Sequence, residues 1–243
     1  MEFFNYLQIQ AAHNRSIHST IREGRECLSI HLVKDENVTR WGNRPRAELA
    51  PVIRNSLFDG GNSGPQFGET WIYEIGVLIP SDLDTTNNDA YVAANPSNTH
   101  QPLAIFQWHA GANVVPMSGV NNSQNPIALD FYEQRFRIFA FRNEVNPTNA
   151  NRVTLAEIYV AREEWTDFRF EVKWSTGADG RLRIFRYDQL IYDWTGPTAF
   201  LDDNAPGFKL GLQKNDNDFA VLNASYQRVF YDSKIQISQN VAF

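Results

Sequence analysis

Short segments with alternating apolar and polar residues recur along most of this chain. In "DFRFEVKWS" at 167–175, every second residue from Phe168 to Trp174 is apolar, and the residues between them are charged. Successive side chains of an extended strand point to opposite faces, so this pattern is typical of a strand with one buried face. Similar segments lie at 26–33, 69–79, 102–110, 135–142, 180–194, 207–214 and 228–237.

Loops rich in Asn, Pro, Gly and Ser separate these segments, and patterns with the period of a helix are scarce. Many strands with turn residues between them predict an all-β protein, either a sandwich or a jelly roll. A β-sandwich of 243 residues commonly folds as one unit, and no internal repeat or long linker divides the chain. We therefore expect a single domain over 1–243, with residues 1–20 as a candidate N-terminal extension.

The composition narrows the classes of partner and compartment. The formal net charge is −6 and the sequence pI is about 5.4, which argues against nucleic acid as the main partner. The single cysteine, Cys27, excludes an internal disulfide framework. The first residues lack the basic region and apolar run of a signal peptide, and we expect no membrane span because no apolar stretch has bilayer length. The compartment stays open: the protein acts inside the cell, is exported without a cleaved signal, or has its signal outside this sequence.

Three short motifs follow one another along the chain: "RAEL" at 46–49, "QWH" at 107–109 and "FKLG" at 208–211. Together with "FRFEVKWS" between the last two, they resemble the jelly-roll polysaccharide lyases of the heparin lyase I, glucuronan lyase and alginate lyase type. Those families carry an Arg-x-Glu strand, a Gln-x-His strand and a Tyr-x-Lys-x-Gly-x-Tyr-like strand. The resemblance extends to the hairpin at 179–198 and to 229–237, and it covers roughly residues 20–238. It implies a concanavalin-like jelly roll of two antiparallel sheets with a concave groove.

The resemblance also implies an activity, the cleavage of an anionic, uronic-acid-containing polysaccharide by β-elimination without a cofactor. Such a lyase neutralises the C5 carboxylate, removes the C5 proton and protonates the departing O4 oxygen. Arginine and glutamine bind a carboxylate and stabilise the developing charge, and histidine acts as a base or helps to neutralise it. By resemblance, the carboxylate-binding residues are Arg46, Gln107 and His109, with Lys209 close by and Glu48 orienting Arg46.

One position departs from the pattern of the family. The tyrosine that follows the Lys-x-Gly step in the family, commonly an acid, a base or both, is Gln213 here, and an amide cannot exchange a proton in this role. Three alternatives follow. Tyr132 or Tyr226 supplies the hydroxyl, His109 handles the proton transfer, or the protein does not catalyse. Gln213 itself is a candidate substrate-binding residue.

Charged residues outside the three motifs suggest two further sites. Arg135, Arg137 and Arg142 in "RFRIFAFR" are candidates for a basic groove that binds the anionic glycan, although a solvated strand face explains them as well. The acidic segments "LDDN" at 201–204 and "NDND" at 215–218 are candidate ligands of a structural calcium ion, with exposed turn acids as the alternative. The histidines outside the motifs have no metal-ligand spacing, so we expect no catalytic zinc.

A lyase of this kind would act outside the cell or on a particle. Two other functional classes stay open. A non-catalytic relative would keep the fold as a glycan-binding or structural module, for example in a virus particle or surface assembly. Gln213, the start without a signal pattern and the Asn-rich loops fit that alternative. A glycoside hydrolase would need two carboxylates flanking the groove, and Glu48 is the only outward acid that the pattern places there.

Overall fold

The computed structural model describes residues 7–11, 16–33, 46–51, 65–83, 103–109, 126–141, 152–200, 206–213 and 226–240. Within these ranges the chain forms fifteen strands and no α-helix. The strands are β1 (Leu7–Ala11), β2 (Ile17–Arg22), β3 (Arg25–Val33), β4 (Arg46–Pro51), β5 (Thr70–Leu78), β6 (Ala104–His109), β7 (Ile127–Tyr132), β8 (Arg135–Phe141), β9 (Arg152–Tyr159), β10 (Trp165–Lys173), β11 (Arg181–Arg186), β12 (Gln189–Thr195), β13 (Gly207–Gln213), β14 (Tyr226–Asp232) and β15 (Gln236–Asn240).

The strands form two antiparallel sheets, as the alternating segments predict. One sheet has seven strands in the order β1-β4-β13-β6-β7-β8-β9. The other has eight, in the order β12-β11-β10-β5-β14-β3-β2, with β15 paired to β5. The segment at 1–20 contributes β1, which pairs with β4, and most of β2, which pairs with β3. The strands β1, β2, β7 and β9 lie outside the alternating segments predicted from the sequence.

The largest apolar cluster of the described residues is rich in aromatic side chains and joins the two sheets. Phe106, Trp108 and Phe208 point into it from the seven-stranded sheet, and Tyr73 and Phe170 point into it from the other. The Trp108 ring centroid lies 5.0 Å from that of Tyr73 and 5.1 Å from those of Phe170 and Phe208. Burial of such rings is the main source of stability for the sandwich, and it fixes which side chains of each strand face outward.

Two β-bulges interrupt the pairing around β6. On one side, Ala104 and Phe106 pair with the successive residues Asp130 and Leu129, so β6 carries one extra residue, Ile105. The Tyr231 hydroxyl, from the opposite sheet, donates a hydrogen bond of 2.7 Å to the carbonyl of that residue. A buried backbone carbonyl that leaves its ladder needs another donor, and the tyrosine provides it through the core.

The second bulge requires a glycine in β13. The register of β13 on β6 shifts between Leu210 and Gln213, and Gly211, between them, has a φ of +136°. A Cβ atom on Gly211 would lie 2.2 Å from the Ala47 carbonyl oxygen and 2.7 Å from the Cα of Glu48. Only glycine lets β13 approach β4 this closely.

Glu163 ties the β2–β3 hairpin to the segment that follows β5. One of its carboxylate oxygens accepts hydrogen bonds of 2.7 Å from the backbone N–H and the hydroxyl of Ser81, and the other accepts from the Arg22 guanidinium. Burial alone would raise the pKa of Glu163, but these hydrogen bonds outweigh it and lower the pKa to about 2. The folded-state pKa therefore lies below the unfolded value, and ionised Glu163 stabilises the fold.

We expect Glu163→Gln to lower the free energy of unfolding near neutral pH by about 1 kcal/mol, since the charge-assisted bonds are only partly shielded from water. The difference from the unmodified protein should shrink as the pH falls from about 4.5 towards 2, because Glu163 becomes protonated over that interval. Urea unfolding at several pH values measures this. The control is Glu164→Gln at the exposed neighbouring position, which should lower the free energy of unfolding much less. A deficit that does not depend on pH would contradict the role of the charge.

Candidate functional site

The strands of the three sequence motifs are neighbours in the seven-stranded sheet, with β13 between β4 and β6. In this register Gln213 lies opposite Arg46, and Gly211 lies opposite Glu48. On the other side of β13, Lys209 lies opposite Gln107, and Gly207 lies opposite His109. Because Phe106, Trp108 and Phe208 face the core, the alternate residues of these strands share the outer face of the sheet.

A hydrogen-bonded cluster joins three of these outward side chains. The Gln107 amide nitrogen donates to Oε1 of Glu48 at 2.6 Å and to Oε1 of Gln213. Gln107, Glu48 and Gln213 are 0%, 1% and 4% exposed. Three polar side chains from three strands are thus buried together on the face away from the main core.

Apolar side chains lie beside this cluster on the same face. Ala128, which pairs with Gln107 in the register of β7 on β6, packs with Phe139 and Phe200 in a small buried group. An apolar border lowers the local dielectric constant, and it strengthens the interaction of any charged ligand with the polar groups.

His109 and Lys209 are the two more accessible groups of the motif strands, and both are half-buried. Gly207 lies opposite His109 in the register of β13 on β6, and it has no side chain to fill the adjacent space. Lys209 pairs in register with Gln107 and carries the positive charge at this position. The backbone of Arg46 lies opposite Gln213, while its side chain lies outside the described part of the structure, so Glu48 as its orienting partner stays a prediction.

The two described arginines of the predicted basic groove each face a carboxylate. Arg137 makes a bidentate ion pair with the fully buried Asp130, at 3.1 and 2.7 Å. Burial alone would lower the pKa of Arg137, but the Asp130 carboxylate outweighs it and raises the pKa. Arg135 lies 3.3 Å from Glu157 at the exposed end of β8. Asp130 is not among the residues predicted from the sequence, although its alternation with Phe131 on β7 indicates that it faces outward.

The structure places the backbones of both tyrosines proposed in place of Gln213 away from Gln107. Gln107 pairs with Ala128, and Tyr132 is four residues further along β7, about 13 Å at the rise of a strand. The Tyr132 ring lies against the Arg137 guanidinium, 5.6 Å from ring centroid to carbon. Tyr226 begins β14 in the eight-stranded sheet, and its side chain lies outside the described part.

The other described tyrosines are also engaged elsewhere. Tyr73 and Tyr231 are buried in the core, where burial raises the pKa of both phenols. Tyr159 donates to Gln134, Tyr187 donates to the Trp165 carbonyl, and Tyr192 lies on the edge strand β12 of the other sheet.

The described residues contain no group of three or more His, Cys, Asp or Glu side chains that could hold a metal ion. Both acidic segments proposed for calcium, 201–204 and 215–218, lie outside the described residues. Among the described residues, no helix has the length and apolar character to cross a membrane.

Two facing antiparallel sheets are the architecture of the jelly roll that the sequence motifs predict. The chain matches the polysaccharide lyase family over residues 4–235 and belongs to that family. The predicted jelly-roll fold and the predicted enzyme class, a polysaccharide lyase, are confirmed. No curated protein matches the chain.

Solved structures with the same fold include lyases of two substrate types. An endo-β-1,4-glucuronan lyase from the fungus Trichoderma reesei has a TM-score of 0.66 at 16% identity, covering 98% of this chain and 91% of its own. The family 7 alginate lyase A1-II′ has a TM-score of 0.60 at 12% identity, covering 96% and 93%. An alginate lyase from Corynebacterium sp. has a TM-score of 0.54 at 13% identity, covering 88% and 77%.

Proposed function

We propose that this polysaccharide lyase cleaves a uronic-acid-containing polysaccharide by β-elimination, with its active site on the outer face of β4, β13 and β6. The observation that carries the proposal is the juxtaposition of His109 and Lys209 with the buried cluster of Glu48, Gln107 and Gln213. A base, a cation and amide groups lie within a few residues on adjacent strands. These are the groups that removal of a proton next to a carboxylate requires.

In the proposed reaction, cationic side chains neutralise the C5 carboxylate and so make the C5 proton acidic. Lys209 has this role, together with Arg46 from the neighbouring β4. Neutral His109 takes the C5 proton, the C4–O4 bond breaks, and a C4–C5 double bond forms. Protonated His109 then returns the proton to O4 of the departing chain, so no cofactor enters the reaction. Tyr132 is too far along β7 to share these steps in the described arrangement.

Outward residues of β7 and β8 extend the proposed binding surface. Arg137 and the more exposed Arg135, whose charges are balanced by Asp130 and Glu157, offer guanidinium N–H donors beside the reacting sugar, where further uronates of the polymer would lie. A uronate polysaccharide is met outside the cell or at the surface of a particle, and we propose that the protein acts there.

The test is an absorbance assay for the unsaturated product with a panel of uronate polymers. Glucuronan and alginate come first, because the solved structures of the same fold include lyases with those names. Hyaluronan, heparin and a bacterial exopolysaccharide complete the panel. We expect absorbance to rise with at least one polymer. A flat trace with all of them, together with no binding, would exclude the proposed substrate class.

A second candidate function is glycan binding without cleavage, and Gln213 in the position of the family's tyrosine favours it. The same panel separates the two candidates. A polymer that binds in equilibrium titration but gives no unsaturated product, or recovery of the protein within a larger assembly, would favour the binding module.

A further inference from the structure

The orientation of the Gln213 amide is set by a chain of hydrogen bonds that begins at Glu48. The Gln107 amide turns its nitrogen towards Glu48, whose Oε1 accepts the hydrogen bond. The second N–H of the same nitrogen then points to Gln213, and only an oxygen can accept it. The Gln213 carbonyl oxygen therefore faces Gln107, and its own amide nitrogen is turned away from the cluster.

That nitrogen has no acceptor in the described part of the chain. Gln213 is 4% exposed, and its only side-chain hydrogen bond to a described residue is the one it accepts from Gln107. The nitrogen is not sealed from the surface, so its N–H groups are available to a bound ligand. The N–H groups of the Gln213 amide lie on the outer face of the seven-stranded sheet, in the strand that also carries Lys209.

We propose that Gln213 is a specificity-determining residue, whose amide nitrogen donates a hydrogen bond to the carboxylate of the bound uronate. The inference rests on the proposed function and adds to it. The residue in the tyrosine position selects an acidic sugar, while proton transfer stays with His109. Glu48 and Gln107 act as positioning residues, because they fix which end of the Gln213 amide meets the substrate.

The decisive variant is Gln213→Glu. Glutamate has the same shape and keeps an oxygen that accepts from Gln107, but it replaces the outward donor with a negatively charged acceptor. We expect KM for the cleaved uronate polymer, and Kd for an oligosaccharide of it, to rise at least about 10-fold, because a charge-assisted bond becomes a repulsion. The control is Gln239→Glu on the exposed part of β15, which makes the same charge change in the other sheet and should leave both constants near their original values.

A second readout separates binding of the carboxylate from a merely structural role. The unmodified protein should prefer the free acid of an oligosaccharide to its methyl ester, and Gln213→Glu should reduce or reverse this preference. If Gln213→Glu fails to fold, as judged by circular dichroism, Gln213→Met removes the donors without adding a charge. It should also raise KM and weaken the preference for the acid.

The outcomes distinguish the two proposals. If the unmodified protein cleaves or binds a uronate polymer and a folded Gln213 variant keeps the original KM, Kd and acid-to-ester ratio, the role of Gln213 is wrong and the proposed function stands. If the unmodified protein neither cleaves nor binds any polymer of the panel, both proposals fail.

Discussion

Replacement of His109 with alanine is expected to lower kcat for cleavage of the uronate polymer by about 100- to 10,000-fold, the usual range for loss of a general acid–base group. In the proposed reaction His109 both takes the C5 proton and returns it to O4, so no other described side chain of the motif strands compensates for it. The substrate is still held by Lys209 and the neighbouring polar groups, so KM should change far less than kcat. Initial rates over a range of pH measure both constants, and the limb of the pH profile that reports the base should disappear.

The matched control is His18→Ala. His18 is exposed on β2 in the other sheet, where its ring lies 4.5 Å from that of His31, and it has no place in the proposed reaction. This variant should keep the original kcat. If His109→Ala retains more than about half of the activity while folding normally, another group transfers the proton.

Replacement of Gly211 with alanine is expected to lower the free energy of unfolding by about 2–5 kcal/mol, from backbone strain together with overpacking. The added Cβ would lie 2.2 Å from the Ala47 carbonyl oxygen, and neither strand has a flexible side-chain end that can move instead. Relief requires β13 to separate from β4, which also stretches the hydrogen bond between Gln107 on β6 and Glu48 on β4. We therefore expect activity to fall further than the loss of folded protein explains. Urea unfolding and specific activity per folded molecule measure the two effects.

Gly68→Ala is the control for backbone conformation alone. Gly68 has a φ of +86°, but apart from its chain neighbours no atom of the described residues lies within 4 Å of the position where its Cβ would be. Its substitution should cost about 1 kcal/mol, the price of the left-handed conformation without a clash. Equal losses for the two glycines would mean that the close approach of β13 to β4 does not determine the effect.

Alternation in the sequence predicted much of the fold but not how the strands pair. It placed Phe106, Trp108 and Phe208 inward and Gln107 and Lys209 outward, as the structure has them. It did not place β13 between β4 and β6, because the alternation of apolar and polar residues in a strand does not depend on which distant strand it pairs with. Among the strands it missed, β9 has the sequence "RVTLAEIY", in which alternation is weak, and it follows an Asn-rich loop.

The candidate site was predicted as a set of residues but not as a geometry. The motifs named Glu48, Gln107 and Gln213, yet a period of two says only that a side chain points outward. That Gln107 uses both N–H groups of its amide within the cluster depends on strand register and on the bulge at Gly211. The choice between Tyr132 and Tyr226 depends on the same long-range pairing, which is why the sequence left it open.

The position of β13 also makes the site a late product of folding. Gln107 meets a partner 59 residues earlier in the chain and another 106 residues later, so no fragment of consecutive strands holds the cluster. Contacts between such distant segments form slowly, since the loop between them must be closed first. During refolding, recovery of activity should therefore follow recovery of β-sheet structure, and binding of a uronate oligosaccharide would report that the whole chain has reached its native topology.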